Sequence, residues 1–114
     1  MKPQKRIPMK DIRIIAEQIA EHFTVEKIIL FGSYAYGNPN ESSDVDLLVI
    51  MNHDKKNNRK QMFEISETLY PKPFSIDVIV RKPIDIKRRI PLGDWFLKQI
   101  TQQGKILYNR KQTI

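Results

Sequence analysis

Cysteine is absent from the 114 residues, so no disulfide staples the fold and no thiolate can hold a metal. Histidine is scarce: His22 and His53 stand alone, too few and too far apart for a histidine zinc centre. No apolar run approaches the roughly 20 residues that cross a bilayer. The basic start, Met1-Lys2-Pro3-Gln4-Lys5-Arg6, is not followed by the apolar stretch of a signal peptide. These absences describe a chain without a membrane partner, fitted to a reducing compartment such as the cytoplasm. Acid is the minority charge, 13 Asp and Glu against 20 Lys and Arg, for a net charge of +7. That balance favours polyanionic partners. Nucleic acid is not the favoured one, because Lys55, Lys56, Arg59 and Lys60 read as a solvated face and no aromatics interleave with them as a base-stacking platform requires.

What is present is one domain of alternating periodicities. Residues 1–8, with Pro3 and Pro8, read as an arm; residues 9–109 form the domain; residues 110–114 are a tail. Apolar residues at 12, 15, 16, 19, 20 and 23 predict an amphipathic helix over 9–23, and a second follows over 59–69. His22, near the end of the first helix, suits the negative end of its dipole rather than a ligand role. Strands are expected over 25–31, 45–51, 74–80 and 105–108, rich in β-branched and aromatic residues. Pro83-Ile84-Asp85 suits a helix start, and Asp94 caps a last helix over 95–103 that Gly104 stops. Trp95 and Phe96 are expected in the core. The expected architecture is α+β: a small mixed sheet with helices packed on one face and the site on the other.

The chemistry concentrates between the first two strands. An apolar run ends at Phe31-Gly32-Ser33, a loop rich in Gly, Asn, Pro and Ser follows, and Asp44-Val45-Asp46 opens the next apolar run. Carboxylates are depleted in strands, and residues at i and i+2 share a face. Two repelling charges there call for a hard cation, and Mg²⁺ takes carboxylate and phosphate oxygens together. Gly32 permits close backbone approach. Ser33 is expected to cap a short helix through Tyr34, Ala35 and Tyr36, whose leading N–H groups would face a phosphate. Asp77, an acid between Ile76 and Val78 in the third strand, either faces water on an edge strand or joins the first two as a third carboxylate.

Gly32-Ser33, ten residues, then Asp44-x-Asp46 resembles the signature of the polymerase-β-like nucleotidyltransferase superfamily, most closely its minimal nucleotidyltransferase (MNT) members. The resemblance implies a polymerase-β palm-like fold and transfer of a nucleoside monophosphate from a Mg²⁺-bound triphosphate to a hydroxyl. It implies Asp44, Asp46 and Asp77 as catalytic and metal-binding residues around two Mg²⁺ ions. Gly32 and Ser33 would be the phosphate-binding pair, with Tyr34 and Tyr36 flanking it. It further implies ATP as donor and a tyrosine of a helical HEPN-family toxin as acceptor, the chain serving as antitoxin in a toxin–antitoxin pair. The alternative is a catalytically silent MNT-fold module that neutralises its partner by binding. A small nucleic-acid binder is a third reading, motivated by charge alone. Self-association stays open.

Overall fold

The computed structural model describes residues 6–112; most of the expected arm at 1–8 and part of the tail at 110–114 lie outside the described residues. The chain runs α1 (Met9–His22), β1 (Lys27–Phe31), α2 (Ser33–Tyr36), β2 (Val45–Ile50), α3 (Asn58–Thr68), β3 (Ile76–Arg81), α4 (Pro83–Arg89), α5 (Trp95–Gln103) and β4 (Lys105–Asn109), followed by a 3₁₀ turn over Arg110–Gln112. The strands form one sheet in the order β3-β2-β1-β4. β1 pairs antiparallel with both β2 and β4, while β2 and β3 run parallel, joined through α3. The mixed α+β architecture is as expected.

The distribution of helices is not. The sheet is apolar on both faces, and each face carries a helical layer. Ile28 and Leu30 of β1, Val45, Leu47 and Val49 of β2, and Val78 and Val80 of β3 pack with Ile12, Ile15 and Ile19 of α1 and Ile65 of α3. The alternate residues Ile29, Phe31, Leu48 and Ile50 pack against Leu97 and Ile100 of α5, with Ile86 of α4 and Ile90 at their margin. Two central strands with no polar alternation need cover on both sides, so the expectation of helices on one face is corrected. The aspartates open on the face of the smaller α4–α5 layer.

Local chemistry explains the element ends. The Asn57 side chain accepts from Lys60 N–H to start α3, and Asp94 accepts from Leu97 N–H at 3.0 Å to start α5. The same Asp94 carboxylate takes Arg89 Nε–H at 3.1 Å. The hydrogen bond from Leu97, then that from Arg89, holds its carboxyl below the usual range. Gly104 ends α5 for a packing reason: a Cβ there would sit 2.5 Å from Ile29 Cγ2 and 2.6 Å from the Ile100 carbonyl oxygen. Trp95 and Phe96 are not core residues, being 75 % and 47 % exposed. In a nine-residue helix lying on a sheet only one stripe is covered, and Leu97 and Ile100 occupy it. The basic run behaves as expected of a solvated face: Lys55 pairs with Glu64 at 2.7 Å and Arg59 lies over Phe63. The His22 ring bonds the Gln18 carbonyl within its own helix at 2.8 Å.

Candidate active site

The turn after β1 depends on Gly32, whose φ of 75° and ψ of −158° lie where only glycine is at ease. Its carbonyl accepts from Ala35 and Tyr36 N–H at 2.9 and 3.1 Å. Gly32 is therefore the N-cap of α2 and Ser33 its first helical residue, which corrects the expected assignment of the cap to Ser33. The consequence for a ligand is the same: the leading N–H groups of the turn have no carbonyl one helical turn earlier to bond. Tyr34 is committed elsewhere, its hydroxyl accepting from Ile7 N–H at 3.2 Å. Tyr36 remains 40 % exposed at the end of the turn.

The loop that delivers Asp44 is tied by Asn40. Its Oδ1 accepts from Ser42 N–H at 2.8 Å and Ser42 Oγ–H at 2.6 Å, and its own N–H donates to Ser43 Oγ at 2.9 Å. This side-chain-closed turn hands the chain directly into β2. There the pairing decides the site: Asp46 lies opposite Phe31 across β1 and opposite Asp77 across β3. Paired residues of neighbouring strands point to the same side of a sheet, so Asp46 and Asp77 share one face. β3 is an edge strand and Asp77 is exposed, and the same residue stands beside Asp46 across the pairing.

Electrostatics records the convergence. The Asp46 carboxyl is raised from 3.8 to about 6, first by burial and then by the charges of Asp77 and Asp44. Gly32 belongs to the same cluster, because a Cβ at that position would strike the Asp46 carboxylate. The glycine thus keeps the turn within touching distance of the strand-borne acid.

A hard divalent cation fits this donor set. Three carboxylates that repel one another on one face, open on the side of a turn with outward N–H groups, suit an ion that shares its coordination with phosphate and water. Among the described residues no three His, Cys, Asp or Glu side chains close into a cage of their own. Mg²⁺ seldom uses an all-protein cage, taking one or two carboxylates together with substrate phosphates. A cavity of about 710 Å³ lies elsewhere, between the segment Arg6–Pro8, α1 and the end of α3, and none of the motif residues lines it.

The raised Asp46 pKa carries a testable sign. The native state holds a proton that the unfolded chain has already released between pH 4 and 6, so stability of the metal-free protein falls as pH rises through that window and levels above it. Solvent screening at this partly exposed group limits the loss to about 1 kcal/mol, or about 4 °C in Tm. Thermal melts in chelator across pH 4–8 should show that slope in the native protein and a flatter profile in Asp46→Asn. A steeper fall in the variant would make Asp46 a structural acceptor.

Sequence reasoning passed over two neighbours. Phe96 stacks edge-on against Phe31 at 5.5 Å between ring centroids, placing an exposed aromatic one side chain away from Asp46. Arg81 ends β3 on the face of Asp77; its signal was the alternation Asp77-x-Ile79-x-Arg81.

No curated protein matches the chain significantly. Among solved structures, the fold is similar to the crystal structure of a protein described as a candidate nucleotidyltransferase from Sulfolobus solfataricus, with a TM-score of 0.64 and 21 % identity over 93 % of this chain and 84 % of that one. The family profile described as a nucleotidyltransferase domain matches residues 12–108, a span that takes in the glycine turn, the three aspartates, β1 to β3 and all but the last residue of β4. The chain therefore belongs to the nucleotidyltransferase domain family.

Proposed function

We propose that the chain moves a nucleoside monophosphate, AMP from ATP, onto a hydroxyl, and that the acceptor is a tyrosine of a HEPN-family partner whose toxicity the modification relieves. The observation that carries the transfer reading is the register that sets Asp77 against Asp46 beside the Gly32 turn. Family membership supports nucleotidyl transfer from a triphosphate. The donor, the acceptor and the antitoxin role rest on the likeness to minimal nucleotidyltransferases.

In this reading Asp44, Asp46 and Asp77 would hold Mg²⁺ together with the oxygens of the triphosphate, and the metal would supply charge stabilisation for an in-line displacement. Gly32 and Ser33 orient the β- and γ-phosphates through their N–H groups and the Ser33 hydroxyl. Asp77, the most exposed of the three acids, faces the acceptor side and is placed to take the hydroxyl proton. The oxygen so freed bonds to the α-phosphorus while the bond to pyrophosphate breaks, leaving a phosphodiester on the acceptor. Phe31 beneath Asp46, with Phe96 against it, limits water on that side.

The test is label transfer from α-labelled ATP, with Mg²⁺, to a HEPN-family protein encoded next to this chain. The native protein should label it on tyrosine, and Asp77→Asn should reduce labelling at least about a hundredfold, the lower end of the range for loss of a positioned base. Equal labelling by the variant removes Asp77 from the mechanism. Neutralisation of the partner without any label would leave the silent binding module as the correct reading.

A further inference from the structure

α5 gives one stripe to the fold, where Leu97 and Ile100 fill the contact with the sheet. Trp95 and Phe96 lie off that stripe, largely exposed, and Leu92 in the turn before the helix is 86 % exposed. The two aromatics line a cavity of about 350 Å³ together with Lys98, Gln99, Gln102 and Gln103. Contiguous exposed apolar surface of this kind marks an interaction site, and Trp is among the residue types most enriched as binding anchors.

The patch borders the acids. The Phe96 ring meets Phe31 edge-on at 5.5 Å, and Phe31 is the residue opposite Asp46 across the β1–β2 pairing. Asp77 stands on the other flank of Asp46.

The charge around the patch has one sign. Lys87, Arg88 and Arg89 form the last turn of α4, and Lys98 Nζ lies over the Trp95 ring at 4.9 Å. Between residues 86 and 104 the one acid is Asp94, and it is committed within the chain to Leu97 N–H and to Arg89. Lys87, Arg88 and Lys98 make no ion pair among the described residues. A purely apolar occupant does not suit this surface, because covering Lys98 without an acid buries an unpaired charge.

We propose that this face of α5 docks the acceptor of the transfer: an acidic protein surface with an apolar anchor for Trp95 and carboxylates for Lys98 and the end of α4. The proposal rests on the transfer reading given above. Gln99, Gln102 and Gln103 favour protein over nucleic acid, since each amide both donates and accepts, as peptide groups and side chains require. A phosphodiester backbone needs cations in a row, and α5 has Lys98 alone. Docking on α5 holds the partner beside the site and leaves the Asp77 carboxylate free for the acceptor hydroxyl.

The probe is the HEPN-family protein of the label-transfer test, titrated into the full chain without nucleotide and followed by calorimetry, with labelling measured in parallel. Expected is binding that weakens as salt is added. Trp95→Ser and Arg88→Glu should each weaken it at least about tenfold and raise the KM for the acceptor by a similar factor, while the gain in Tm with Mg–ATP stays native. Phe63→Ser, which removes an aromatic 52 % exposed on α3, should bind as the native chain does. Binding by Trp95→Ser and Arg88→Glu within about twofold of native overturns the proposal, and so does an equal loss in Phe63→Ser. Failure of the native chain to bind the probe overturns it too, whether or not a short RNA or anionic lipid vesicles bind in its place. The docking face and the reaction fail separately. Trp95-dependent binding without label transfer keeps the face and removes the reaction, whereas full transfer at native KM by Trp95→Ser keeps the reaction and removes the face.

Discussion

Asp46→Asn is expected to lower nucleotidyl transfer about a thousandfold, the equivalent of about 4 kcal/mol of lost stabilisation for the charge developing on the transferring phosphoryl group. The substitution keeps the shape and one oxygen but removes the charge that the other two acids crowd. Its effect on stability runs the other way. Above pH 6 the metal-free variant should melt at or above the native protein, because it no longer places three like charges on one face. The native protein should gain Tm with added Mg²⁺ by mass action, and the variant should gain little. Steady-state transfer measured alongside paired melts, with and without Mg²⁺, checks both halves. Activity within tenfold of native would remove Asp46 from the reaction, whatever the melts show.

The second large effect is expected at Gly32. Gly32→Ala places a Cβ against the Asp46 carboxylate and forces a side chain into a φ of 75°. The strained backbone costs about 1–3 kcal/mol. The collision moves the acid and the turn apart, and displacements near 1 Å in a reacting constellation cost about a hundredfold in rate. Gly93→Ala is the matched control. Its φ of 100° is equally unsuited to a side chain, yet a Cβ there meets nothing within 4 Å. Both variants should lose comparable stability in thermal melts, and only Gly32→Ala should lose transfer. If Gly93→Ala loses activity equally, backbone strain rather than the Asp46 contact is responsible.

The two expectations separate what each residue type does. Asp46 supplies charge, and Gly32 supplies the absence of an atom. Neither can be replaced by improving the other, because the distance between turn and strand is set by Gly32 while the field at that distance is set by the acids. The tethering of the intervening loop through Asn40 keeps Asp44 in step with them.

Much of this was legible from local pattern. The interruption of two apolar runs by Gly32-Ser33 and by Asp44-x-Asp46 carries its own geometry, because alternation and glycine's φ range are properties of a few consecutive residues. The same holds for the helices α1, α3 and α5, whose periodicity and caps put their ends within one or two residues of the expected positions. Misreadings arose where a neighbour outside the segment decides. Trp95 and Phe96 have core composition, but only one stripe of α5 meets the sheet, and they lie off it. Ser33 has the chemistry of a cap, but Gly32 holds the cap conformation because Asp46 leaves no room for a Cβ.

By itself the sequence determined that a glycine turn and a pair of carboxylates flank two buried strands, since period and turn chemistry act over short range. Only the tertiary structure decided that Asp77 joins them. Its partner is 31 residues distant, and nothing local specifies which strand of a sheet lies next to which, or in what register. The β2–β3 pairing supplies that choice through the apolar faces both strands must bury, and with it comes the face on which the third charge appears.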